Sequence, residues 1–251
     1  MKRIARWLPA LLLGGAFVAC LFRFDLVETL LAPLARRKAV FAERESLVVL
    51  AGQHLFLVAT TSIPAFAAAF ALALATAGAG SAAARALLLD AAAIGETVPT
   101  VALMALLVPG LGYGFPPVAA ALFLYGLLPV FRNTLSGIQS TPRAIVDAAA
   151  GCGMTESQAL WRVRLPWAWP LVIQGIRVSL VINLAAATVG AVVGAGGFGS
   201  LIVSGIRSFD PILILKGSLP VALLALCVDS ALRAVERLLD ERRGIAAVPS
   251  R

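Results

Sequence analysis

Apolar residues in this chain fall into long runs, without the strict alternation that marks a half-buried strand. A helix needs roughly 20 mostly apolar residues to cross a bilayer. Six runs are candidates: about 7–22, 47–77, 86–109, 113–131, 168–195 and 211–234. The pattern therefore predicts an all-α polytopic membrane protein with six transmembrane helices. The second run is overlong and contains Pro64, which predicts a tilt or a kink. The fourth is short and opens at Pro116-Pro117, where a missing N–H costs a helix little.

Two stretches interrupt this pattern, residues 23–46 and 132–166. The second has the chemistry of a helical hairpin. Thr141 is placed to cap a helix and Pro142 to occupy its first position. That helix runs through "RAIVDAAA" and stops at Gly151-Cys152-Gly153, where glycine tolerates a left-handed turn. Thr155, with Gln158 three residues on, has the spacing of a capping box for a second helix, which is expected to end before Pro166.

Composition supports the membrane assignment. Of 251 residues, 60% are hydrophobic and 14% charged, against about a quarter charged in a typical soluble domain. The formal net charge is +8, but the basic residues lie mostly between the apolar runs. They read as topology signals rather than as a nucleic-acid surface. With both termini cytoplasmic, the inner segments hold thirteen Lys and Arg and the outer segments six, while Arg177 and Lys216 fall inside helices. The first loop, with Arg23, Arg36, Arg37, Lys38 and Arg44, runs against this orientation, and the later loops agree with it. A rival reading exists for "MKRIARWLPALLLGGAFVAC", which resembles a signal peptide with a lipoprotein-like cleavage site at Cys20. Retention as a first helix is preferred. One His and three scattered Cys (Cys20, Cys152, Cys227) offer neither a metal cluster nor a disulfide framework.

In the hairpin, the small side chains of Ala148, Ala149 and Ala150 make a low surface suited to a partner's groove, with Arg143 and Asp147 able to set its register. An ordinary amphipathic helix on lipid headgroups, with Arg162 and Arg164 facing anionic lipid, explains the composition equally well. Spacing separates the two. Asp147-Ala148-Ala149, three residues, Gly153, nine residues, Val163, Arg164, Leu165-Pro166 resembles the EAA motif of ABC-importer permeases, with Asp for Glu and Val for Ile. In that family the element is a coupling helix docked on a cytoplasmic ATPase subunit. The resemblance implies a type I ABC importer permease (MetI-like) fold and no enzymatic activity. It implies no cofactor on this chain, with ATP and Mg²⁺ held by the partner ATPase. The expected partners are ABC ATPase subunits, a second permease subunit (homo- or heterodimer), a periplasmic binding protein and membrane lipid. Nucleic acid is not among them.

"ALFLYGLLPVFRNTLSGI", "GIRVSLVINLAAATVGAVVGAGGFG" and "ILILKGSLPVALLALCVD" are similar to the osmoprotectant (glycine betaine and choline) subfamily, over roughly residues 46–238. The extra first helix and 24-residue first loop resemble its Yeh-type members. The implied organisation is residues 1–46 as an N-terminal transmembrane helix and periplasmic loop. Residues 47–238 follow as the permease domain with its hairpin at 132–166, and 239–251 as a cytoplasmic tail, with the protein as a whole expected in the bacterial inner membrane. "IGETVPTVALMALLVPGLG" follows the family except that Glu96 stands where a neutral Gln is expected.

Other features are weighed beside this. The chain lacks GxxxxGK[ST], so it has no phosphate-cradling loop. Gly194 to Gly199, "GAGGFG", matches GxGxxG, but it follows a membrane run and lacks the acid about 20 residues on that a dinucleotide site needs. It reads as a glycine-rich break at Gly194, Gly196, Gly197 and Gly199, serving as a gate, a hinge or a plain loop. Ala186, Gly190 and Gly194 make a small-residue face for helix packing. Glu96 and Lys216 are intramembrane charges, read as a structural pair first and as substrate contacts second. Thr60, Thr61, Ser62, Asn183 and Thr188 are mild polar groups for a pathway or for helix bonding. Trp167 and Trp169 fit an interfacial belt. A secondary transporter would leave the hairpin spacing unexplained, a permease for methionine or a sulfonate shares the hairpin, and a membrane enzyme would need more than the solitary His54.

Overall fold

The computed structural model describes residues 2–31, 46–79 and 82–242, and regular structure among them is helical. The first-loop charges from Arg36 to Arg44 and the tail beyond Arg242 lie outside the described residues. In chain order the helices are α1 (Lys2–Phe22), α2 (Phe24–Leu31), α3 (Leu47–Ala79), α4 (Ala82–Thr97), α5 (Thr100–Leu111) and α6 (Phe115–Gln139). They continue with α7 (Arg143–Gly151), α8 (Glu156–Ala159), α9 (Leu165–Val189), α10 (Gly199–Ser208) and α11 (Pro211–Arg242).

Four continuous helical stretches are long and apolar enough to cross a membrane: Leu47–Gly78, Phe115–Gln139, Glu156–Val193 and Pro211–Leu239. Arg6–Phe22 and Thr100–Leu111 are shorter apolar helices. Five of the six expected runs correspond to a single helix each. The third, 86–109, does not. It breaks into α4 and α5, with Pro99 extended at φ −60° and ψ 128°. Proline cannot donate a backbone hydrogen bond and pushes the preceding residue, Val98, out of the helical region. Pro64, by contrast, sits inside an uninterrupted α3.

The core is a three-helix wedge of α3, α6 and α9. Ala65, Ala69 and Ala73, spaced by four, are fully buried along one face of α3, so the i, i+4 stripe of smallest side chains faces its neighbours. On α6 and α9 the closest approaches fall on glycine. A Cβ at Gly126 would lie 2.7 Å from Asn183 Nδ2 and 3.3 Å from the Ala65 Cβ. One at Gly137 would lie 2.9 Å from the Ala168 Cβ, and one at Gly175 would lie 2.9 Å from the Pro129 carbonyl oxygen. Buried side-chain bonds cross this wedge. Ser179 Oγ donates to the Gly126 carbonyl at 2.8 Å, and Asn183 Nδ2 donates to Ser62 Oγ at 3.0 Å.

Outside the wedge, α11 packs on α9, α10 and α1. Helix α1 runs antiparallel to α11: Cys227 Sγ donates to the Ala10 carbonyl at 3.3 Å, and Lys216 Nζ lies 5.2 Å from the centre of the Phe24 ring. The start of α1 and the end of α11 therefore share the end of the bundle that carries α7 and α8.

Replacing Gly126 by Val should lower the melting temperature of the detergent-solubilised protein, with overpacking costing about 1–3 kcal/mol. Gly52 has nothing within 4 Å of its added Cβ, so Gly52→Ala should hold or raise stability by about 0.5–1 kcal/mol through helix propensity.

Candidate functional site

The hairpin between α6 and α9 is built almost entirely by local capping. Helix α7 begins after Pro142, whose backbone is extended at φ −55° and ψ 136° and carries no side-chain cap. Thr141 does not serve as the expected cap. It is buried, and its hydroxyl donates back to the Ile138 carbonyl at 3.1 Å, closing α6 instead. The other end follows expectation. The Gly153 N–H bonds to the Ala150 carbonyl at 2.9 Å and the Met154 N–H to the Ala149 carbonyl at 3.1 Å, with Gly153 left-handed at φ 78°. This is the Schellman pattern that ends a helix on glycine. Thr155 then closes the expected capping box. Its hydroxyl accepts from the Gln158 N–H at 3.3 Å, and its own N–H donates to Gln158 Oε1 at 3.0 Å.

The second hairpin helix does not end before Pro166. It passes through a π turn, Leu160–Arg164, where the Leu165 N–H bonds five residues back to the Leu160 carbonyl, and continues into α9. Proline lacks the N–H for a normal turn, and its ring crowds the carbonyl four residues earlier. The wider π turn accommodates both, and such insertions recur at functional positions. Residues Glu156–Val193 consequently form one helical stretch that joins the hairpin to a span.

Burial divides the motif. Asp147, Ala148, Gly153 and Arg143 are exposed, and so is Pro166. Ala149, Ala159 and Leu165 are buried, while Val163 is half-buried. The inward residues anchor the element, and the outward ones leave a face of small side chains flanked by one acid and one base.

At the opposite end of α9, the glycine-rich segment follows a 3-10 turn, Gly190–Val193. Gly194, Gly196 and Gly197 take φ values of 91°, 76° and 72°, which non-glycine residues adopt at a cost. Two adjacent residues near the start of α3 hold this loop. Gln53 Oε1 accepts from the Gly197 N–H at 2.9 Å, and His54 Nε2 lies 3.1 Å from the Leu184 carbonyl. The His54 ring also packs on Phe198 at 5.5 Å between centroids. His54 is 1% exposed and wedged between α9 and the loop, and no metal-ligating cluster forms among the described residues. Its apolar neighbours in sequence gave no sign of the loop it meets. Gly194 departs from the expected packing face, because it lies beyond α9 and faces Gly114. Gly190 packs on Val118 of α6, so this small-residue contact lies within the subunit. A Cβ at Gly199 would overlap the Thr188 carbonyl.

The mild polar groups are used structurally. Thr60 and Thr61 donate to carbonyls of their own helix, as does Thr188, while Asn183 and Ser62 bond each other across helices. Trp169 stacks on Phe70 with centroids 6.0 Å apart. Glu96 falls in the last turn of α4, beside the break before α5 rather than mid-helix, and its side chain lies outside the described residues. Lys216 is half-buried over Phe24.

A charge cluster went unassigned in the sequence, although charges inside apolar spans were the signal for it. Arg177 on α9 pairs with two acids of α11, Asp229 at 2.9 Å and Glu236 at 3.4 Å. Arg233 pairs with Asp229 at 2.8 Å. Two bases and two acids thus meet where α9 and α11 pack. An open groove of about 300 Å³ lies along α6 and α9, lined by Pro129, Arg132, Asn133, Ser136, Val178 and Ile182.

Residues 71–242 match the family described as "Binding-protein-dependent transport system inner membrane component". The chain is similar to the carnitine transport permease protein OpuCB of Listeria monocytogenes, with 35% identity over 197 residues, 78% of this chain and 89% of that one. Similarity to the osmoprotectant import permease protein OsmY of Salmonella typhimurium is 36% over 199 residues, 79% and 84% of the two chains. With the choline transport system permease protein OpuBB of Bacillus subtilis it is 37% over 144 residues, 57% and 66% of the two chains. Among solved structures, an inward facing conformation of the MetNI methionine ABC transporter shares the fold with a TM-score of 0.66. That match covers 77% of this chain and 95% of the other at 17% identity.

Loss of either cap should loosen the hairpin selectively. Thr155→Ala should cost about 1 kcal/mol and Gly153→Ala about 1–2 kcal/mol, read as faster amide hydrogen exchange over residues 156–160. Gly151→Ala, at a right-handed position with open space around it, should leave that exchange unchanged.

Proposed function

The chain belongs to the family of binding-protein-dependent transport system inner membrane components, and from that premise we propose that it is the permease subunit of an ATP-driven importer of osmoprotectants. The solutes are of the glycine betaine, carnitine and choline class. The observation that carries this reading is the hairpin. Asp147, Ala148 and Gly153 form an exposed, capped face that is continuous through the π turn with α9. A partner that presses on that face moves a membrane helix directly. The solute class is supported by relatives whose names specify carnitine, choline and osmoprotectants.

In the proposed cycle a periplasmic binding protein delivers solute to the outer face, and this chain pairs with a second permease subunit, identical or different, to enclose the path. Two cytoplasmic ATPase subunits bind ATP and Mg²⁺ and close against the hairpins. This chain itself holds no cofactor. Alternating access requires only that ATP-bound subunits favour one arrangement of the spans over the other. The hairpin and both termini are assigned to the cytoplasmic side of the inner membrane. The excess of Lys and Arg there supports this assignment, as does the common position of the start of α1 and the end of α11. The glycine-rich loop, held by Gln53 and His54, then lies at the outer face, where it serves as the gate element.

Reconstitution in liposomes with the ATPase and binding protein should give ATP-dependent uptake of labelled glycine betaine, carnitine or choline. Ala148→Trp, which places a bulky ring on the docking face, should reduce both ATPase co-purification and uptake by about thirtyfold, the scale of one interface hot spot. Uptake of methionine with no uptake of trimethylammonium solutes would reassign the substrate. Solute transport by the chain without any ATPase would sink the importer reading.

A further inference from the structure

Helix α9 receives the hairpin at one end, but α11 has no direct contact with the hairpin of comparable extent. The charge cluster adds a directional tie to the apolar packing between α9 and α11. Arg177 lies twelve residues beyond Leu165, about 18 Å along the helix axis at 1.5 Å per residue. Its guanidinium reaches across to α11, with Nη1 2.9 Å from Asp229 Oδ1 and Nε 3.4 Å from Glu236 Oε2. Asp229 and Glu236 are seven residues apart, so they share one face two turns apart, and the fork spans both. Arg233 closes the cluster from the same helix, 2.8 Å from Asp229. The Arg177 side chain is 16% exposed and both acids are 21% exposed, whereas Arg233 is 56% exposed. The load therefore falls on the Arg177 pairs. The guanidinium hydrogen-bonds Asp229 and lies at ion-pair distance from Glu236, so sliding of one helix along the other changes both charge separations, which apolar contacts do not register. Separation of the helices would strand charge within apolar spans.

Resting on the importer reading above, we propose that Arg177, Asp229 and Glu236 are positioning residues for coupling. They form the joint through which α11 follows α9 when the hairpin is displaced. The path runs from the exposed face of α7, through the capped turn and the π turn, along α9 to Arg177, and across to α11. Helix α11 in turn carries α1 and α10, so the joint commits the outer part of the bundle to the movement.

The test uses the whole importer in liposomes and reads solute taken up per ATP hydrolysed. Arg177→Gln and Asp229→Asn should each lower that ratio by about tenfold while ATP hydrolysis by the assembled complex continues. The double variant Arg177→Gln with Asp229→Asn should fall no further than the single ones, because both remove the same link. Arg177→Lys, which keeps the charge but loses the fork, should assemble even where the glutamine variant does not, with a ratio between those of the glutamine variant and the unmodified chain. A purely structural role predicts something else: uptake and ATP hydrolysis falling together with the amount of assembled complex, at an unchanged ratio. That result, or a double variant whose loss is the product of the single losses, overturns the proposal. If the unmodified chain shows no ATP-driven uptake at all, the importer reading fails and takes this inference with it.

Discussion

The close approach of α3, α6 and α9 is the constraint on which the rest of the structure depends. In a bilayer there is no hydrophobic penalty to drive helices together, so packing and hydrogen bonding must do it. This chain meets that requirement with alanine on α3 and glycine on α6 and α9, at points where a single added carbon would meet backbone or amide atoms. Ser179 and Asn183 then bond across the contact. With the wedge in place, the two ends of α9 have fixed positions.

Those two ends carry the two features with mechanical content. At one end, α9 runs without a break into a hairpin whose turns are set by glycine and threonine caps. At the other, it dissolves into left-handed glycines held by Gln53 and His54 from α3. A π turn at the first junction and a 3-10 turn at the second relieve the helix at those places and leave it regular between them. On the proposed reading, the hairpin receives force and the glycine loop lies where an outer gate would close. A stiff rod between two adjustable ends suits that use better than a uniformly flexible helix does.

The family match begins at residue 71, within α3, and ends at 242, with α11. The hairpin, the π turn, the glycine loop and the Arg177 cluster all fall inside it, while α1, α2 and the Gln53–His54 pair precede it. The Gln53 and His54 contacts beside the glycine loop therefore come from a part of α3 that lies before the matched region.

Much of this was legible in the sequence because the governing interactions are local. Long apolar runs dictate helices in a bilayer, since every backbone group must bond within its own segment. Glycine at 153 and the Thr155–Gln158 pair dictate the hairpin turns through neighbours at most five residues away. What local chemistry could not decide depended on partners far along the chain. The break at Pro99 and the continuity through Pro166 involve the same residue type with opposite outcomes, and only the packed path of the backbone distinguishes them. Thr141 had two acceptable uses, and the end of α6 took it. The Gln53–Gly197, His54–Leu184 and Arg177–Asp229 contacts join residues 144, 130 and 52 positions apart. A side chain's charge or polarity shows that it needs a partner, but which partner is decided only when the helices assemble.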